Sequence, residues 1–161
     1  NILNNSKKKY SLLHCVSIYP TPLGEAHLNR INFLKKLTKS VGFSDHSETP
    51  KNGILLSVAS LLFDVSYIER HFTVIDKSKT KDGVVSLDAK ELKNLVDFTK
   101  KDKTEIEGWL KENFPNYKDS FGQETRKLSN IEILNRGYYR GRFASINSQG
   151  KYVFNWEDKK I

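Results

Sequence analysis

The chain has 161 residues with 37% hydrophobic content and a single cysteine, Cys15, enough for one domain with a modest core but excluding an internal disulfide framework. Its polar, basic opening, Asn1 to Lys9, lacks the apolar stretch of a signal peptide, and no apolar run approaches the ~20 residues of a membrane span, so a cytoplasmic protein is expected. The net charge of +8 comes mostly from lysines set among acids, as in Lys100 to Glu105, which reads as a solvated surface rather than a nucleic-acid site.

Three short apolar runs have the length of buried strands: Tyr10 to Tyr19, closed by Pro20-Thr21-Pro22, then Val41 to His46, then Val65 to Phe72. Helical patterns lie between and after them. Glu25 to Thr38 carries apolar residues at Ala26, Leu28, Ile31, Phe33, Leu34 and Leu37, and Ile54 to Phe63 is apolar nearly all round, as in a helix pressed against a sheet. Asp88, with Glu91 three residues on, predicts a capped helix through Thr99, and a further helix covers Thr104 to Asn113. Between Tyr138 and Trp156, Gln149-Gly150 marks a turn joining two short strands.

Strand and helix alternating three times is the rhythm of a parallel βα array, so the fold class is α/β. Catalytic groups of a (β/α)₈ barrel sit at the C-terminal ends of its strands, which is where Ser17, Tyr19, Ser44, His46, Glu69 and His71 fall. The two-residue strand period puts Ser17 with Tyr19, Ser44 with His46 and Glu69 with His71 on common faces, and His14 and Asp45 on the opposite ones. Three strands cannot close a barrel, so the chain reads as part of one. It begins with Asn and contains no methionine, which predicts further sequence upstream. Residues 1–103 are assigned to the βα units, and 104–161 to a helical linker and C-terminal extension.

Three blocks then become recognisable. Leu12-Leu13-His14-Cys15 through Tyr19-Pro20-Thr21-Pro22, Gly42-Phe43-Ser44-Asp45-His46, and Ile68-Glu69-Arg70-His71-Phe72-Thr73 occur in the order and rough spacing of the N-acetylneuraminate (sialic acid) synthase family. The chain resembles that family over about residues 8 to 100. The resemblance implies strands six to eight of a TIM barrel, the C-terminal portion. It also implies the family's chemistry: carbon 3 of phosphoenolpyruvate attacks the aldehyde of an open-chain N-acylated amino sugar, and phosphate leaves after water adds.

Carried over residue by residue, His46 and His71 are the ligands of a divalent metal, usually Mn²⁺, with Mg²⁺ or Co²⁺ as substitutes. Two imidazoles with water and substrate oxygens suit such an ion, which can polarise an aldehyde oxygen. Ser44 matches a position that holds the phosphoenolpyruvate phosphate, Tyr19 one that contacts the acceptor sugar, and Asp82 one that binds sugar hydroxyls. Ser17 stands where the family has an asparagine. Glu69 joins the two histidines as a catalytic candidate, orienting a neighbour or pairing with Arg70.

The sequence also departs from the family. Lys79-Thr80-Lys81-Asp82-Gly83 replaces a Pro-Gly-Pro-Asp pattern, a few extra residues surround Thr49 to Gly53 in the loop before the next helix, and the antifreeze-like domain has no counterpart. Many family members use that domain to cap a partner's site, so whether this chain forms a homodimer in the same way stays open. The family's remaining phosphate-binding groups and a first-strand glutamate would lie before Asn1, so the 161 residues alone are expected to be inactive. The alternatives are another phosphoenolpyruvate-dependent keto-sugar synthase of TIM-barrel type and a basic nucleic-acid-binding module.

Overall fold

Strand β1 (Leu12–Cys15) pairs in parallel with β2 (Val41–Asp45), which pairs in parallel with β3 (Tyr67–Arg70). They are seen in a computed structural model that describes residues 9–140, 144–146, 148–150 and 152–154. The chain divides into two compact units after Arg126.

In the first unit the register sorts side chains into rows. Leu13, Gly42 and Tyr67 share one face with Cys15, Ser44 and Glu69, while His14, Phe43 and Ile68 share the other. The second face is covered. Helix α1 (Arg30–Lys35) packs on β1 and β2, and a single helical turn, α2 (Thr49–Asn52), precedes α3 (Leu55–Leu61), which packs on β2. Val41, Phe43, Ile31, Leu55, Leu56 and Val58 are buried together there. The first face is open, with Leu13 37% and Tyr67 55% exposed. All-parallel sheets normally have both faces covered. Gly42 has no room for a side chain: a Cβ would stand 2.8 Å from Tyr67 O and 2.9 Å from Tyr67 Cβ.

Helices α4 (Ala89–Phe98) and α5 (Lys103–Asn113) complete the layer, with α5 adding Ile106 and Leu110 to the core. Each starts with a reciprocal capping box, Asp88 with Glu91 and Asp102 with Glu105, which satisfies amides that a helix start leaves orphaned. The second unit holds helix α6 (Asn130–Arg140) and an antiparallel pair, β4 (Ala144–Ile146) and β5 (Tyr152–Phe154). Gly150, at φ 74°, makes the expected turn. No helix among the described residues is long and apolar enough to cross a membrane.

Several boundaries differ from the sequence reading. The strand expected over Tyr10 to Tyr19 pairs only through Cys15, although buried Val16 and Ile18 continue the alternation against exposed Ser17 and Tyr19. Ser17 and Tyr19 therefore sit in the bend after β1, and His46 and His71 each stand one residue past a strand end. The helix expected from Glu25 to Thr38 is a 3₁₀ turn at Leu23–Glu25 followed by the short α1. His27 interrupts it at φ 46°, a left-handed conformation. Distant partners hold that break: the Leu28 and Asn29 amides donate to Ser120 O and Phe121 O, and Gln123 N donates to His27 Nδ1. The extra residues around Thr49 form α2 rather than loop, with Pro50 in its first turn and Gly53, at φ 51°, ending it.

His14 gives this core a pH dependence. It is 6% exposed, stacks on Phe43 and sits 2.7 Å through Nε2 from Ala26 O, so Nε2 carries the proton. Burial lowers its pKa from the ordinary 6.5, against the opposing pull of the Ala26 carbonyl and with help from Arg30, Arg126 and His27. Below about 6.5 the unfolded chain takes up a proton that the folded chain refuses, so stability falls as pH falls. From this group we expect a loss of up to ~1.4 kcal/mol per pH unit below that point. His14→Gln should flatten the dependence of the urea midpoint between pH 7.5 and 5.5, and an unchanged slope would contradict the assignment.

Candidate functional site

Past the C-terminal ends of the three strands, four side chains from four segments meet. Tyr19 follows β1 at a cis Tyr19–Pro20 bond, His46 follows β2, His71 follows β3, and Asp82 lies in the loop between β3 and α4. The His46 and His71 rings are 5.2 Å apart between centroids and meet edge to face, and Tyr19 lies 5.4 Å from His46 and 6.0 Å from His71. Tyr19 Oη donates to Asp82 Oδ1 at 3.0 Å. Asp82 Oδ2 is 3.9 Å from His71 Nδ1, too far for a hydrogen bond.

One row below, Ser44 Oγ donates to Glu69 Oε1 at 2.6 Å, joining β2 to β3 on the open face. Glu69 therefore pairs with Ser44 rather than with Arg70. Cys15, which the sequence reading left out, lies in the same row with Sγ 3.7 Å from His46 Nδ1. Ser17 lies exposed in the bend before Tyr19. Tyr19, Ser44, His46, Glu69, His71 and Asp82 thus gather at one end of the sheet, on an open surface rather than in an enclosed cavity: Tyr19 is 47% exposed.

Burial, reinforced by neighbouring His71, lowers the His46 pKa, with Asp45 and Glu69 pulling the other way. Its lone pair is therefore available near neutral pH, as metal ligation requires. Burial and the bond to Asp82 push the Tyr19 phenol up to about 12, so it stays a hydrogen-bond donor. Burial also raises the Cys15 thiol, against a bond to Ser44. No set of three or more His, Cys, Asp or Glu among the described residues is disposed to hold a metal ion. His46 and His71 set two nitrogen donors side by side, a donor type that suits a borderline divalent ion.

Behind the two histidines lies an arrangement only partly legible from sequence. Asp45 and Arg70 point into the covered face, where Arg70 Nη1 stands 2.7 Å from Asp45 Oδ2 with both side chains almost fully buried. Asp45 also accepts from Ser57 Oγ at 2.6 Å and Ser47 N at 2.8 Å. The signal was present in the alternation: residues adjacent to two histidines on one face of the sheet must lie on the other, and opposite charges on neighbouring strands can pair there.

Comparison with known proteins follows this geometry. Residues 1–109 match the model of the NeuB family. The chain is 37% identical to the N-acetylneuraminate-9-phosphate synthase of Drosophila melanogaster, over 57% of this chain and 24% of that protein. It is also 37% identical to the N,N'-diacetyllegionaminic acid synthase of Campylobacter jejuni, over 57% of this chain and 27% of that one. The crystal structure of an N-acetylneuraminic acid synthetase from Leptospira borgpetersenii superposes with a TM-score of 0.56 at 29% identity, over 87% of this chain and 43% of that one. The chain spans 24% to 41% of the length of the first curated relatives it matches.

Proposed function

The chain belongs to the NeuB family, and from that premise we propose that it supplies the last three βα units of a (β/α)₈ barrel in a nonulosonic (sialic) acid synthase. The enzyme joins phosphoenolpyruvate to an N-acylated amino sugar and releases phosphate. The meeting of Tyr19, His46, His71 and Asp82 past the ends of parallel strands carries this reading, because it puts paired imidazoles beside a hydroxyl-binding carboxylate.

The residues divide the work. His46 and His71 hold a divalent ion, Mn²⁺ or a substitute such as Co²⁺ or Mg²⁺. When bound, that ion supplies Lewis-acid polarisation of the acceptor aldehyde as carbon 3 of phosphoenolpyruvate attacks it. Tyr19 and Asp82, already hydrogen-bonded, orient acceptor hydroxyls. Ser44, whose hydroxyl donates to Glu69 in this structure, turns it to the phosphate when phosphoenolpyruvate binds, and Ser17 adds a polar contact beside the acceptor. With the sheet bare on its inner face, the 161 residues hold no synthase activity by themselves.

The test is phosphate release from phosphoenolpyruvate with a panel of N-acylated amino sugars. It compares the chain alone with the chain joined to the preceding βα units of the Leptospira synthetase. We expect silence from the first and sugar-dependent release from the second. A folded, Mn²⁺-binding chimera that releases nothing would remove the condensation, and release by the chain alone would remove its dependence on the rest of the barrel. In the active form, Tyr19→Phe takes the donor from Asp82 and should raise the acceptor KM by ~10-fold while leaving the phosphoenolpyruvate KM unchanged. Equal effects on both substrates would move Tyr19 away from the acceptor.

A further inference from the structure

Each candidate metal ligand is preceded in sequence by one half of a buried ion pair, Asp45 before His46 and Arg70 before His71. Resting on the metal-site reading above, we propose that Asp45 and Arg70 are positioning residues. Their salt bridge sets the spacing of the two imidazoles and tethers the loop that carries Asp82.

The bonds of Arg70 run in three directions. Nη1 reaches Asp45 Oδ2 at 2.7 Å and also the Asp45 carbonyl at 3.2 Å and Ser47 Oγ at 3.1 Å, so it holds the backbone before His46 and the side chain after it. Nη2 donates to Val85 O at 3.2 Å, three residues along the loop from Asp82. Its own backbone leads directly into His71. One guanidinium therefore links every segment that brings a group to the site except the Tyr19 bend, and Tyr19 is joined through Asp82. Asp45 anchors the assembly to α3 through Ser57.

The geometry comes at the expense of full satisfaction. Arg70 Nε is buried with no hydrogen-bond partner among the described residues, because the fork is turned so that both terminal nitrogens reach across the strand ends. A pair present only to bind β2 to β3 could be replaced by apolar side chains of similar volume at little cost in stability. A positioning pair could be replaced without losing the fold but not without losing the geometry, since apolar contacts have no direction with which to hold two backbones in register. This contrast makes the inference testable.

The chain has four histidines, so a histidine-labelled sample resolves them by nuclear magnetic resonance. Rings 5.2 Å apart give a ring-proton Overhauser effect between His46 and His71 in the absence of metal. The variants are Arg70→Met, Arg70→Lys and the charge-free double variant Asp45→Asn with Arg70→Met, which leaves no lone buried charge and should fold if Arg70→Met does not. Leu110→Ala, in the core on α5, controls for general destabilisation.

We expect the double variant to lose the His46–His71 effect and at least tenfold in Co²⁺ affinity, Arg70→Lys to keep part of both, and Leu110→Ala to keep both in full. Retention of the Overhauser effect by the folded double variant, or its loss in Leu110→Ala, overturns the proposal. Failure of the metal reading looks different. Co²⁺ would then broaden neither His46 nor His71 selectively in the wild-type chain, while loss of the effect in the double variant would still establish the positioning role.

Discussion

An alanine at either His46 or His71 is expected to raise the Mn²⁺ dissociation constant of the chain by ~10- to 100-fold, and alanine at both to abolish specific binding. With two protein donors, each imidazole supplies half of the directed contacts, so the loss of one leaves a weakened site and the loss of both leaves none. The chain contains its own controls. His14 is buried with Nε2 committed to Ala26 O, and His27 accepts from Gln123 N, so replacing either should leave Mn²⁺ affinity unchanged. Electron paramagnetic resonance of free Mn²⁺ reads these affinities directly. The pH profile should follow, because His46 must be neutral to ligate and its lowered pKa extends binding to more acidic pH than an exposed histidine allows. Equal losses from His14 and His46 replacement would show that the ion binds elsewhere.

Asp45→Ala is expected to cost ~3–5 kcal/mol in chemical unfolding. The side chain of Asp45 is fully buried, and its loss leaves the Arg70 guanidinium, 2% exposed, with an uncompensated charge. It also strips the acceptor from Ser57 Oγ and Ser47 N. The exposed Asp97 on α4, beside Lys93 and Lys100 in high dielectric, is the contrast, and Asp97→Ala should be nearly silent. A loss below about 1 kcal/mol at Asp45 would mean that water reaches the pair in solution.

What could be read from sequence was local. The capping box at Asp88 and Glu91, the hairpin turn at Gly150 and the apolar helix around Leu55 follow from chemistry within a few residues, and each is found in the structure. The face assignments of Ser44 with His46 and Glu69 with His71 followed from strand period alone, and the gathering of His46, His71 and Asp82 agrees with them. What failed depended on contacts distant in sequence. The helix drawn through His27 breaks because amides nearby bond to residues 120 and 121, which no window around position 27 contains. The overlong β1 reflects a burial alternation that outlasts the pairing. Helix α6 was missed although Ser129 and Glu132 carry a capping-box signature, which the structure uses.

The alternation of His46 with Asp45, and of His71 with Arg70, also works as a proofreading device for strand alignment. In a sheet, a slip by one residue exchanges the two faces. A slipped β2 would drive an imidazole into the layer beneath α3 and turn Asp45 outward, abandoning Arg70 among apolar side chains. The misaligned form separates the two imidazoles and breaks the brace in one step, so the alignment that brings His46 to His71 is also the one free of stranded charge.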